Sequence, residues 1–201
     1  RVNDFHGNTR IQGTHDNSML LSYSNYLNSN NITLDETSDF YEYPAWQTYL
    51  LDYDSLSNHW TPWYDTTNAS VMQTKNTTTR GAQYQTDITF SGNYDGKLYV
   101  GASFGFPRIR YNSSSTYTEV FNNPDTILDT EEYTFKEEVR TEGSGFNMKF
   151  GLIYLPVKFL RLGLSVHTPT WYSMNDQFST SFASDFRNDT YNSRENSPQG
   201  S

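Results

Sequence analysis

Residues 145–172 read GFNMKFGLIYLPVKFLRLGLSVHTPTWY, and the fold turns on this stretch. Phe146, Met148, Phe150, Leu152 and Tyr154 alternate with Asn147, Lys149 and Gly151. Beyond Leu155-Pro156-Val157-Lys158, Leu160, Leu162, Leu164 and Val166 alternate with Arg161, Gly163, Ser165 and His167. A period of two on both arms predicts two strands. For the apolar residues to share a face, Tyr154 should pair with Leu160 and Phe150 with Leu164, which requires an odd-length loop. The result is a ribbon with one apolar face and one polar face that carries Lys149, Arg161 and His167. A sandwich core covering the apolar face, or membrane lipid covering it on a barrel, both fit this pattern.

Composition narrows the choice. The chain has 201 residues, 34% of them hydrophobic, with a mean hydropathy of -0.78, so apolar residues are confined to short strands in a polar chain. A formal charge of -9 opposes binding to nucleic acid or to anionic lipid surfaces through the mean field of the chain. The absence of cysteine excludes disulfides and thiol chemistry. No apolar run approaches the roughly 20 residues of a membrane helix, so only a barrel could span a bilayer. The chain starts at Arg1 without an initiator Met or a signal peptide, and it reads as part of a longer protein.

Residues 1–80 show the least strand pattern. Asp16, Asn17 or Ser18 is placed to cap a helix carrying Met19, Leu20, Tyr23, Tyr26 and Leu27, which Asn30-Asn31 would end. A second helix is expected from Pro44, with Trp46, Tyr49, Leu50 and Tyr53 at helical spacing, and a strand over Tyr49 to Tyr53 is the competing reading. Residues 55–80 read as loop, with Trp60 and Trp63 as anchors. A hairpin is expected over 82–92 and 97–111, turning at Tyr94-Asp95-Gly96 with Gly96 at positive φ. A second hairpin is expected over 134–154 and 159–172. Pro107 and Pro169 should interrupt the ladders at matching heights. The two hairpins are joined by an acidic loop, 112–133, in which calcium ligation around 121–132 is the alternative to a solvated charge run. Residues 173–201 read as a further polar loop.

Strands with tight turns at one end and long polar segments at the other have the asymmetry of outer-membrane barrels. RVNDF at 1–5, PAWQTYLLDYD at 44–54, GNYDGKLYVGASFGFPRIRY at 92–111 and the stretch 145–172 resemble the FadL-type family of outer-membrane transporters for long-chain fatty acids and other hydrophobic compounds. The resemblance implies an all-β fold: an antiparallel transmembrane β-barrel of about fourteen strands, of which this chain holds about four, with a partly helical extracellular cap. It also implies an N-terminal hatch and further strands that this chain lacks, and a location in the outer membrane of a Gram-negative cell.

On this reading the function is passive transport of hydrophobic molecules, with outer-membrane lipid as surroundings and neither nucleic acid nor a cofactor as partner. Its alternatives are a barrel serving as partner or scaffold in a surface assembly, and a soluble β-sandwich binding domain. A ligand-binding groove is expected between the two helices, formed by Met19, Leu20, Tyr23 and Leu27 on one side and Trp46, Tyr49, Leu50 and Tyr53 on the other. Asp87, Lys149, Arg161 and His167 are expected to face the lumen. No catalytic or metal-binding residue is expected. Gly101-Ala102-Ser103-Phe104-Gly105 fits the G-x-S-x-G expression of serine hydrolases, but Ser103 lies within an unbroken alternation instead of a strand-to-helix elbow.

Overall fold

The computed structural model describes residues 2–63, 70–121, 130–186 and 189–196. The fold is mostly antiparallel β-sheet. A seven-stranded sheet follows the order β1-β4-β5-β6-β8-β9, with β7 also paired to β6. The strands are β1 (Val2–His15), β4 (Val71–Tyr94), β5 (Leu98–Phe121), β6 (Thr130–Val157), β7 (Leu160–His167), β8 (Trp171–Phe186) and β9 (Thr190–Asn196). Between β1 and β4 the chain makes an excursion containing α1 (Met19–Ser29), α2 (Glu42–Gln47) and a two-stranded hairpin, β2 (Leu51–Asp54) with β3 (His59–Pro62).

The β6–β7 hairpin keeps its apolar residues in phase by a different register from the expected one. Phe150 lies opposite Val166, Leu152 opposite Leu164, and Tyr154 opposite Leu162, two residues along from the pairing with Leu160 expected from the sequence. The two-residue turn Lys158-Phe159 joins Val157 to Leu160 and would by itself set Tyr154 against Gly163. An irregularity between Tyr154 and Val157 absorbs one residue of β6, so even-numbered residues meet even-numbered ones. Pro156, which has no N–H for the ladder, sits in that irregularity. The other tight turn is centred on Asp95 and Gly96, both at positive φ, and Lys97 N–H donates to the Tyr94 carbonyl at 3.1 Å. That is the φ pattern of a type I′ turn, and Tyr94, expected as the first residue of a three-residue loop Tyr94-Asp95-Gly96, is the last residue of β4 instead.

The two prolines behave differently. β5 runs unbroken through Pro107, contrary to the expected interruption, whereas Pro169 does break the strand between β7 and β8. Thr168 mends the gap. Its backbone N–H donates to the Met148 carbonyl at 2.9 Å, and its hydroxyl accepts from the Met148 N–H at 2.9 Å.

Strand extends well beyond the expected boundaries. β1 occupies Val2–His15, where no strand was expected, because its residues are exposed on both sides and carry no alternation. Backbone pairing with β4 holds it, and side chains add to this: the Phe5 ring lies over Gly81, and the Thr78 hydroxyl donates to Asn8 Oδ1 at 2.6 Å. Residues 71–80, expected as loop, belong to β4. Residues 112–121 and 130–133 of the expected acidic loop are strand, and so is most of 173–196. Residues 122–129, the centre of the calcium alternative, and the final residues 197–201 lie outside the described residues.

The first helix is as expected, with Ser18 as N-cap accepting from Leu20 N–H and Asn30 as C-cap. The second is shorter and starts earlier. It spans Glu42–Gln47, places Pro44 in the first turn where a backbone N–H is dispensable, and ends before Tyr49, whose φ is 58°. Leu51–Asp54 is then a strand. The hairpin turn fixes this choice, since Asp54 accepts from Leu56 N–H at 2.9 Å and from the Ser57 hydroxyl at 2.6 Å.

By packing, the chain divides into two units. The first comprises Arg1–Phe5, Arg80–Tyr111 and Arg140–Asp176, and the second His6–Thr79, Asn112–Val139 and Gln177–Ser201. The hydrophobic core lies in the second unit: Leu20, Leu27, Ala45, Leu50, Leu51, Trp60, Tyr133, Phe135 and Phe182 are all buried. Leu20, Ser24 and Leu27 form the buried stripe of α1, which packs on β3. Trp60 anchors this packing, with its indole N–H on the Ile32 carbonyl at 2.8 Å and its backbone clamped by the Asn28 amide. In the first unit most of the large apolar residues are exposed instead.

Candidate functional site

The second unit contains a cleft of about 550 Å³. Met19, Tyr23, Tyr41, Tyr117 and Phe135 give it apolar and aromatic walls, and His15, Gln73, Lys75 and Glu137 bring polar tips to it. Burial, followed by the charges of Glu42 and Glu137, pushes the Tyr23 phenol well above its ordinary range. Burial and Glu137 push Tyr41 in the same direction. Both phenols are therefore neutral hydrogen-bonding groups at physiological pH. The size and the mixed lining suit a small molecule with an apolar body and a polar end.

One wall of the cleft is fixed by a buried carboxylate. Glu119 on β5 is fully buried. It accepts from the Ser18 and Tyr117 hydroxyls, from Met19 N–H at 2.9 Å and from the Gln73 amide at 3.0 Å. These donors give an anion the hydrogen bonds that its burial requires. Because Ser18 and Met19 begin α1, the carboxylate also lies at the positive end of that helix and ties it to the sheet.

The first unit sorts its residues by face. Phe90, Phe104, Phe106 and Phe146 touch one another on one face, together with Trp171. On the other face Lys149 reaches Asp87 at 3.7 Å, and Lys149 and His167 are register partners. Arg161 falls on that same polar face, two residues before Gly163 and in phase with His167. The apolar face is exposed: Phe90 by 64% and Leu164 by 65%. A furrow of about 460 Å³ crosses it, with Gly92 and Ala102 as its low points and Phe90, Phe150, Leu152 and Val166 as its banks.

The residues expected to form a two-helix groove are distributed otherwise. Leu20, Leu27 and Leu50 are core residues, and Trp46 and Tyr53 pack half-buried against that core. Tyr49 is exposed, with its ring 4.7 Å from that of Tyr191. Met19 and Tyr23 line the cleft. α1 packs on β3, and α2 on β2 and β9. Tyr41, Gln73, Lys75, Tyr117, Phe135 and Glu137 were not expected at a site. The signal for three of them was available as continued alternation, since Tyr117, Glu119, Phe121, Tyr133, Phe135 and Glu137 are all odd-numbered on β5 and β6. Ser103 lies in mid-strand with its hydroxyl accepting from Thr89 at 3.0 Å, and β5 continues beyond it to Phe121.

No known protein-family model matches this chain, and no curated protein is significantly similar to it. What the fold itself defines is a mostly antiparallel β protein whose apolar residues form a core in one unit and an exposed band in the other.

Proposed function

We propose that the chain is part of an outer-membrane β-barrel of the FadL type that passes hydrophobic molecules such as long-chain fatty acids. The exposed apolar band of the first unit carries the proposal. Large apolar residues of a protein in water are scattered, whereas Val100, Phe150, Leu152, Leu162, Leu164 and Val166 form a continuous face, with the ion pair Asp87–Lys149 on its reverse. Lipid outside and water inside a barrel call for this distribution.

The parity of the strands supports the same reading. On β5 and β6 the phenylalanines that share the first unit's apolar face are even-numbered (Phe104, Phe106, Phe146, Phe150), with Tyr99, Ile153 and Val157 as exposed odd-numbered exceptions, whereas the residues packed inward in the second unit are odd-numbered (Tyr117, Glu119, Tyr133, Phe135). A strand that leaves lipid for water must stop presenting its apolar side outward and begin burying it. The second unit is then an extracellular lobe, and its cleft is the first binding place for the ligand. Each methylene removed from water there contributes about 0.8 kcal/mol, so a few carbons suffice for capture.

The test uses the intact gene product. It should partition into the membrane fraction and need detergent for extraction, and deleting its gene should slow uptake of long-chain fatty acid. Replacing Met19 and Tyr23 together by Asp should weaken fatty-acid binding while heat-dependent gel mobility still reports a folded barrel. A protein that stays soluble without detergent overturns the membrane assignment, and unchanged binding by the folded variant removes the cleft from the route.

A further inference from the structure

We infer that Arg80, Arg108, Arg110 and Arg140, at the edge of the apolar band, bind the phosphorylated headgroup of an outer-leaflet membrane lipid, an inference that rests on the membrane reading above. On β5 the residues Phe104, Phe106, Arg108 and Arg110 follow one another at alternate positions, so the arginines continue the face that the phenylalanines begin. On β6, Arg140 and Glu142 lie in phase with Phe146, which touches Phe106. Arg110 and Arg140 both contact Glu142, at 3.9 and 2.7 Å, which brings the two strands' arginines to one place. Arg80 follows by alternation, since the neighbouring Gly81 faces the opposite side under Phe5. A depression of about 300 Å³ is lined by Arg108, Arg110 and Glu142, with Tyr84 and Ser144 on its walls.

The charge balance there is opposite to that of the chain. Four arginines fall on this face, where Arg110 and Arg140 pair with Glu142 and Asp4 on β1 is in phase, in a protein of net charge -9. The mean field of the chain is screened beyond about 8 Å at physiological ionic strength, so the local cluster governs what binds at this face. Guanidinium groups pair with phosphate oxygens through two parallel hydrogen bonds, which an ammonium does not reproduce. Position selects the source of the phosphate. Arg108 is the eleventh residue from the start of β5 at Leu98, and a tilted strand crosses the hydrocarbon layer in roughly 9 to 11 residues, so the cluster meets headgroups at the end remote from the tight turns.

The experiment compares the intact protein with the variant Arg108→Gln, Arg110→Gln, Arg140→Gln, and with the corresponding triple Lys variant. Each protein is inserted into phosphatidylcholine vesicles containing a small fraction of bis-phosphorylated lipid A or its dephosphorylated form, and lipid retained after detergent extraction is measured by mass spectrometry. Each arginine near a headgroup contributes about a fivefold factor, so the Gln variant should retain roughly a hundredfold less phosphorylated lipid. The Lys variant should fall between, and Lys97→Ala, which removes a charge at the turn end, should match the parent. Equal retention of the two lipid forms, no loss in the inserted Gln variant, or displacement of the lipid by millimolar inorganic phosphate each overturns the headgroup site. Failure of the parent to insert into vesicles overturns the membrane reading instead, so the two failures are distinct.

Discussion

The ammonium of Lys149 stands 3.7 Å from the carboxylate of Asp87, although the two residues lie on β6 and β4 with β5 between them. A pair across two ladder spacings, each about 4.8 Å, closes only if the middle strand presents no side chain. Gly105 supplies that gap. A Cβ built there would lie 2.4 Å from Asn147 Oδ1 and 2.9 Å from Asp87 Oδ1. Both charged side chains are more than a third exposed, so the pair itself is worth at most about 1 kcal/mol in water, and its larger effect is to set the charge pattern of the polar face.

Replacing Gly105 by Val should therefore crowd Asn147 and push Asp87 and Lys149 apart. The expected loss is about 1–3 kcal/mol, the range for overpacking. The same replacement in an Asn147→Ala background should cost less, because the nearest obstacle is gone. Thermal unfolding of the four proteins of this cycle measures the coupling, and additive losses would place the strain elsewhere.

Glu119 should be a principal tie between α1 and the sheet. Glu119→Leu removes the shared acceptor of Ser18, Met19, Gln73 and Tyr117, although Gln73 keeps its bond to the Asn17 carbonyl, and the expected destabilisation is on the order of 3 kcal/mol. Ser18→Ala removes one of those donors and the helix cap, and should cost about 1 kcal/mol. Hydrogen exchange of the α1 amides should quicken in both variants, and more strongly in the first.

Alkaline titration should show delayed tyrosines. Burial, reinforced by Glu42 and Glu137, holds Tyr23 above its ordinary value near 10, and burial with Glu119 does the same for Tyr133. A phenol whose folded value is raised contributes stability that is fully present below the unfolded value and is lost as pH rises through the folded value. Phenolate absorbance should therefore rise in two stages, exposed tyrosines first and these two only with unfolding. Conversion of all tyrosines in one stage near pH 10, with the fold intact, would contradict the burial.

The two faces of the β6–β7 hairpin should respond differently to charge. Leu152 and its partner Leu164 occupy the apolar face, and Gly151 and its partner Ser165 the polar one. In a bilayer Leu152→Arg should cost roughly 2–4 kcal/mol, whereas Ser165→Arg should cost little. Folding yields into vesicles, followed by gel mobility, measure the difference, and equal tolerance would argue that neither face meets hydrocarbon.

Much of this was legible in the residues. Alternation over 145–172 identified two strands and their faces, Asp16-Asn17-Ser18 and Asn30-Asn31 bracketed α1, and Tyr94-Asp95-Gly96 marked a tight turn. β1 was not legible because a strand exposed on both sides has no hydrophobic period, and its backbone bonds are the same for any side chains. The length of α2 was obscured because Trp46 to Tyr53 fits both helical spacing and an aromatic strand. The turn chemistry of Asp54, Ser57 and Asn58, farther along the chain, decided between them.

The sequence by itself determined the local periodicities, the turn chemistry and the absence of thiol chemistry, all of which depend on residues a few positions apart. Only the tertiary structure decided which residues meet. Leu20, Leu27 and Leu50 form a core instead of lining a groove, because residues about thirty to over one hundred and fifty positions distant, Trp60 and Phe182 among them, cover their apolar area. Glu119 finds its donors about one hundred positions earlier in the chain at Ser18 and Met19, and Asp87 finds Lys149 across a strand that a glycine leaves bare. Such contacts are fixed by strand order and register, which no local pattern of residues encodes.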